Sequence, residues 1–278
     1  MMSSLQADLL LLRKRTATWI LLAVSMIMSV VFTYAFPYTT YLQTASGQRT
    51  AADLRPLLPE GVVSSVLGGF PFYFGMFALI LGVLQFGSEF GWDTFKTTFM
   101  QRSNRATAVV SKITALIITL SLFAVSVFVT GALASIIIAA NEGAAINWPS
   151  ALDFVKGFAA GWLLLSLWAL FGVLLAVLSR GIALAMGLGI VYALVIEGLV
   201  TGFGDSIKLL HDLSEAFLRT NGYSLIAPLQ ISSGTGNDGP GFFTGPFVSE
   251  WQALLVIVGY LVIFSGASAL VVARRDVN

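Results

Sequence analysis

The chain has no cysteine and only one histidine, His211. The first absence removes disulfides, thiol catalysis and cysteine-ligated zinc or iron–sulfur centres, and the second leaves a histidine-based metal site or a Ser-His pair without its parts. Charge is also scarce. Only 10% of the residues are Asp, Glu, Lys or Arg, and their sum is +1. The basic residues form no run beyond Arg13, Lys14 and Arg15, so the chain carries no electrostatic footprint for nucleic acid. No Gly-Lys dipeptide occurs. That excludes the GxxxxGK[ST] phosphate loop, and with it nucleotide hydrolysis of that class in this chain. The G-x-S-x-G elbow, the H-E-x-x-H pair and paired intramembrane carboxylates are missing as well. No sequence repeat relates the first half to the second, so the inverted-repeat signature common in secondary transporters is absent.

What the chain has instead is apolar surface: 57% hydrophobic residues and a mean hydropathy of +0.87, far from a soluble domain of 278 residues. The expectation is a single all-α integral membrane domain with six transmembrane helices, at about 19–38, 62–87, 108–140, 154–178, 182–203 and 251–273. Ser3 to Gln6 reads as an S-x-x-Q capping box that starts a helix with Leu5, Leu9 and Leu12 on one face. With Arg13 to Arg15 behind it, residues 1–18 are expected to form an interfacial elbow; the competing reading is the charged start of a signal peptide. Pro37 is expected to end the first span, and Gly68, Gly69 and Pro71 to disturb the outer end of the second. Only Ser179, Arg180 and Gly181 separate the fourth and fifth spans, which forces an antiparallel hairpin. Residues 204–250 are expected as an outer loop. In its first part Ile207, Leu210, Leu213 and Phe217 recur at helical spacing, fitting a helix that lies on the outer leaflet or dips back in. Ser232 to Gly245, rich in glycine, reads as a mobile loop.

Basic residues near span ends set the orientation. With both termini cytoplasmic the inner segments hold 10 Lys and Arg and the outer ones 5. The expected location is a bacterial cell membrane, crossed several times. One charge falls inside a span: Glu197, in VYALVIEGLVTGF. An ionised carboxylate at that depth needs a partner or water, and it marks either a translocation pathway or a tie to a neighbouring helix.

The stretch from Phe86 to Lys112 stands apart, because it joins two apolar segments with several basic residues and a patterned aromatic stripe. Trp92, Phe95 and Phe99 fall at i, i+3 and i+7, so a helix from about Gly91 to Met100 carries three rings on one face and turns Asp93, Lys96 and Thr97 away. Such a helix lies among lipid headgroups or fills a groove on a soluble partner. GSEFGWDTFKTTFMQRSNRATAVVSK resembles the loop between the second and third spans in permease subunits of type-2 ATP-binding-cassette exporters. The matching positions are Glu89, Phe90, Thr94, Lys96, Arg105 and Lys112, while Asp93 stands where that family usually has glycine. The resemblance implies a half-transporter that forms a homodimer or heterodimer and sits among membrane lipid. It also implies a cytoplasmic ABC ATPase subunit bound through a coupling helix at Gly91 to Met100. ATP and Mg would then belong to that partner, with no cofactor and no catalysis in this chain, and the cargo would be a hydrophobic or amphipathic molecule moved outward. The alternative is an ion- or proton-coupled transporter or channel that uses Glu197.

Overall fold

Lipid offers the backbone no hydrogen-bond partner, so apolar segments cross it as helices that satisfy their own amides and carbonyls. The computed structural model describes residues 2–45, 49–91, 105–203, 207–230 and 248–274, and no strand occurs among them. Among the described residues, six helices are long and apolar enough to cross a membrane: Thr16–Gln43, Phe70–Glu89, Ala108–Glu142, Ala151–Ser179, Ile182–Val200 and Glu250–Arg274. The chain is built as a multi-pass membrane protein.

Helix α1 (Met2–Lys14) precedes the first span. Because it begins at Met2, Ser3 lies inside the helix and cannot be its N-cap, which corrects the capping-box expectation. The first span consists of α2 (Thr16–Met28), a wide π-helical turn (Ser29–Ala35) and α3 (Phe36–Gln43). Pro37 therefore does not end this span. The proline sits in the first turn of α3, directly after backbone bonding has shifted to the wider π spacing, and the lost N–H and ring crowding are absorbed there. A short helix α4 (Ala51–Leu54) follows, closed by a reciprocal cap between Thr50 and Asp53.

The second apolar run is not one continuous helix. It divides into α5 (Val62–Leu67), a break at Gly68 and Gly69, a π turn (Phe70–Phe74) that holds Pro71, and α6 (Gly75–Gly91). The third span is the 38-residue α7 (Arg105–Glu142), and the fourth is α8 (Ala151–Ser179), whose first turn is capped by Ser150. Arg180 takes a left-handed conformation with φ 54°, and the chain reverses at once into α9 (Ile182–Ile190), the expected tight hairpin. A third π turn (Val191–Ile196) leads into α10 (Glu197–Phe203).

The second and fourth spans form the centre, and glycine makes their contact possible. A Cβ on Gly82 would meet the Ala169 carbonyl oxygen at 2.0 Å, and one on Gly172 would meet the Leu79 carbonyl oxygen at 2.3 Å. Backbones that close gain dispersion contact, the main attraction available between helices in lipid. Trp168, fully buried, donates its indole N–H to the Pro71 carbonyl at 3.0 Å and so fastens the fourth span to the wide turn of the second. The first, fifth and sixth spans lie outside, with large apolar side chains such as Ile20, Leu184, Leu188 and Leu255 exposed.

Part of 204–250 departs from the expected outer loop. Helix α11 (Lys208–Ser214) keeps Ile207, Leu209 and Leu213 exposed, as a helix lying on lipid would. The next helix, α12 (Leu218–Ile226), is buried through nearly its whole length against the last span, α13 (Glu250–Arg274), and the π turn of the second. Its sequence, LRTNGYSLI, is polar, and local bonds make the burial tolerable. Asn221 donates to the Glu215 and Phe217 carbonyls at 2.7 and 2.8 Å, and the Ser224 hydroxyl donates to Thr220 and accepts the Val248 amide. The glycine-rich stretch from Ser232 to Gly245 lies outside the described residues.

Candidate functional site

Two groups of buried charge stand out, one at each end of the helical bundle. At the end where the chain begins, Asp8 on α1 and Lys112 on α7 are almost completely buried. Lys112 Nζ lies 3.8 Å from Asp8 Oδ1 and also binds Glu89 at the end of α6. The neighbouring Ser111 hydroxyl donates to Asp8 Oδ2 at 2.5 Å. Arg15, between α1 and the first span, donates to the Leu84 carbonyl at 2.7 Å and to the hydroxyl of Ser88, the residue before Glu89, at 2.6 Å. Burial pulls the Arg15 guanidinium below its ordinary pKa, and the nearby Glu89 carboxylate opposes that shift.

Helical geometry explains the convergence. On α1, Leu5, Leu9 and Leu12 face the protein as the spacing predicted, and Asp8 shares that inward face. A carboxylate in such a position requires a cation, and Lys112 supplies one from 104 positions along the sequence. The cluster thus ties α1 to the last turn of α6 and the first turns of α7, the two helices that flank residues 92–104.

Among the residues singled out from the sequence, Glu89 and Lys112 are brought together here. Phe90 lies in the last turn of α6 and Arg105 opens α7. Trp92, Thr94, Phe95, Lys96 and Phe99, and with them the expected coupling helix, lie outside the described residues. No protein-family model matches the chain, and no curated protein matches it. Among the described residues no three His, Asp or Glu side chains cluster in a way that could hold a metal ion.

The second group surrounds Glu197, which is fully buried. One carboxylate oxygen accepts the Arg219 backbone N–H at 3.1 Å, and the other lies 3.8 Å from Arg219 Nε. The Tyr192 hydroxyl, from the π turn just before, also donates to this carboxylate. Arg219 is the second residue of α12, so Glu197 acts as an N-terminal cap delivered from another element and also meets the positive end of the helix dipole. The Phe72 ring sits 5.7 Å from the Arg219 guanidinium carbon, an added cation–π contact.

Sequence reasoning missed Asp8, Arg15 and Arg219. Asp8 had a signal, since it is the one acidic residue on the apolar face of α1. Arg219 had none, because its polar neighbours read as solvated loop.

Proposed function

We propose that this chain is the membrane-spanning subunit of an ATP-driven exporter, of the type-2 ATP-binding-cassette class that its 86–112 stretch resembles. A separate ATPase supplies the energy, binding ATP and Mg outside this chain. Residues 91–100 act as the coupling helix, and α1 acts as the elbow that leads into the first span.

The observation that carries this reading is the tie among Asp8, Lys112 and Glu89. A soluble partner that pushes on residues 92–104 acts on the ends of α6 and α7. Because Asp8 locks α1 to those same ends, the push reaches the first, second and third spans as one body, which is what a power stroke requires. Glu197 has the lesser claim to a transport role. Its carboxylate is enclosed, paired and committed to capping α12, whereas a proton- or ion-coupled carrier needs such a group to open to water.

The test is co-purification of an ATPase encoded beside this chain, together with ATP-dependent export. If Trp92, Phe95 and Phe99 fill a groove on the ATPase, Phe95→Asp should lower its affinity by thirtyfold or more, since losing a buried aromatic anchor costs about 2 kcal/mol or more. The permease should still insert and keep its oligomeric state. Unchanged recovery and unchanged export would defeat the coupling-helix assignment. Transport that survives ATP depletion but collapses with the proton gradient would favour the carrier reading instead.

A further inference from the structure

A second surface of α1 carries information independent of the transport reading. The helix has two faces with opposite treatment of charge. Its inward face buries its single carboxylate, Asp8, beside Lys112. Its outward face holds Ala7, Leu10, Leu11, Arg13 and Lys14, all exposed and none acidic. Leu10 and Leu11 are 49% and 59% exposed.

The three consecutive basic residues are divided between these faces. Arg15 is consumed inward by the Leu84 carbonyl and the Ser88 hydroxyl, so only Arg13 and Lys14 are presented outward. Trp19, 48% exposed, donates its indole N–H to the Arg13 carbonyl at 2.7 Å and pins the end of α1 against the first turn of the first span. The span begins at Thr16. Arg13 and Lys14 are therefore held within a few residues of the point where the chain enters lipid, beside an indole of the kind that settles at headgroup level.

We propose that the outward face of α1 is a binding site for anionic phospholipid. Arg13 and Lys14 take the phosphate and the headgroup charge, while Leu10 and Leu11 enter the acyl boundary beneath. Anionic headgroups are the occupant that fits both halves of the face, because its net charge is positive and its apolar part is continuous with the first span. A zwitterionic headgroup would satisfy the leucines and leave the two cations without net compensation.

The test titrates the purified full-length protein with phosphatidylglycerol or phosphatidylcholine and reads bound lipid by native mass spectrometry. Each basic residue near an anionic surface contributes roughly a fivefold preference, so the pair should favour phosphatidylglycerol by roughly twenty-five-fold. R13Q/K14Q should lose most of that preference, while R13K/K14R and Arg274→Gln, at the end of α13, should keep it. Equal uptake of both lipids by the unaltered protein, or a preference that survives R13Q/K14Q, would overturn the site. Loss of the same size from Arg274→Gln would assign the effect to overall charge and overturn it too. A second measurement does not depend on the charge variants. The chain has no cysteine, so a nitroxide attached at Leu10→Cys reports from one place in vesicles of mixed phosphatidylcholine and phosphatidylglycerol. Collisions with oxygen should exceed those with a water-soluble nickel chelate. The reverse would place this face against water or protein and defeat the proposal.

Discussion

The Asp8–Glu89–Lys112 cluster and the Glu197–Arg219 pair answer the same problem, a charge enclosed by helices, in different ways. The first uses two carboxylates around one ammonium, a serine donor and a nearby guanidinium, and Glu89 retains some exposure. The second sets one carboxylate against one guanidinium, with backbone amides and a tyrosine as reinforcement, and Glu197 retains no exposure. Redundant partners near the membrane boundary allow a cluster to lose a member and reorganise. A pair enclosed deeper in apolar surroundings reorganises less readily, because the charge that remains stays buried away from water. The first arrangement suits a joint that bears a push, and the second suits a permanent fastening of α12.

The contrast breaks most sharply at Arg219. Arg219→Met should destabilise the protein by about 3–5 kcal/mol, the cost of stranding a buried carboxylate. The double variant Glu197→Gln/Arg219→Gln should recover a large part of that loss, since no net charge then remains. Chemical denaturation of both variants in detergent measures the coupling. A double variant no more stable than Arg219→Met would mean the two residues do not act as a pair.

At the other end Lys112→Met should cost less, about 2 kcal/mol, although the lysine is no less buried than Arg219. Arg15 remains within reach of the Glu89 field, and Glu89 keeps some contact with solvent. Its functional effect should run the other way. If the chain is the exporter subunit proposed above, Lys112→Met should uncouple ATP hydrolysis from export, while Glu197→Gln/Arg219→Gln should export at near the original rate once folded. Export lost in the Glu197 double variant and kept in Lys112→Met would exchange the roles given to the two sites.

The smallest effect is expected from Asp8→Asn. The amide keeps a bond with Ser111, and Glu89 still neutralises Lys112, so stability should fall by about 1 kcal/mol. What should change is the attachment of α1, read as faster amide hydrogen exchange over α1 with little change in α6 or α7. Equal loss of protection in all three helices would show that the cluster does not join separable parts.

Much of this architecture was legible before any coordinates. Apolar runs of about 20 residues specify spans because lipid tolerates little else, and the short Ser179–Arg180–Gly181 connection leaves only an antiparallel return. The errors have local causes. Pro37 looks like a span end, yet it falls in the first turn of α3 directly after a π turn, and the helix continues. Arg219 and Asn221 look like loop because residue type reports the cost of burial and not whether partners will offset it.

Composition and periodicity by themselves determined that the chain is helical, that it spans a membrane several times, and that Leu5, Leu9 and Leu12 share one face of α1. These follow from interactions within a segment or between a segment and its solvent, and a one-dimensional reading contains both. Only the tertiary structure decided that Asp8 meets Lys112, that Glu197 caps a helix beginning 21 positions later, and that Arg15 turns inward while Arg13 and Lys14 stay out. A buried charge must find an opposite charge somewhere, but its location depends on how the helices cross. Here that crossing is set by glycine contacts such as Gly82 against Ala169, in which no charged side chain takes part.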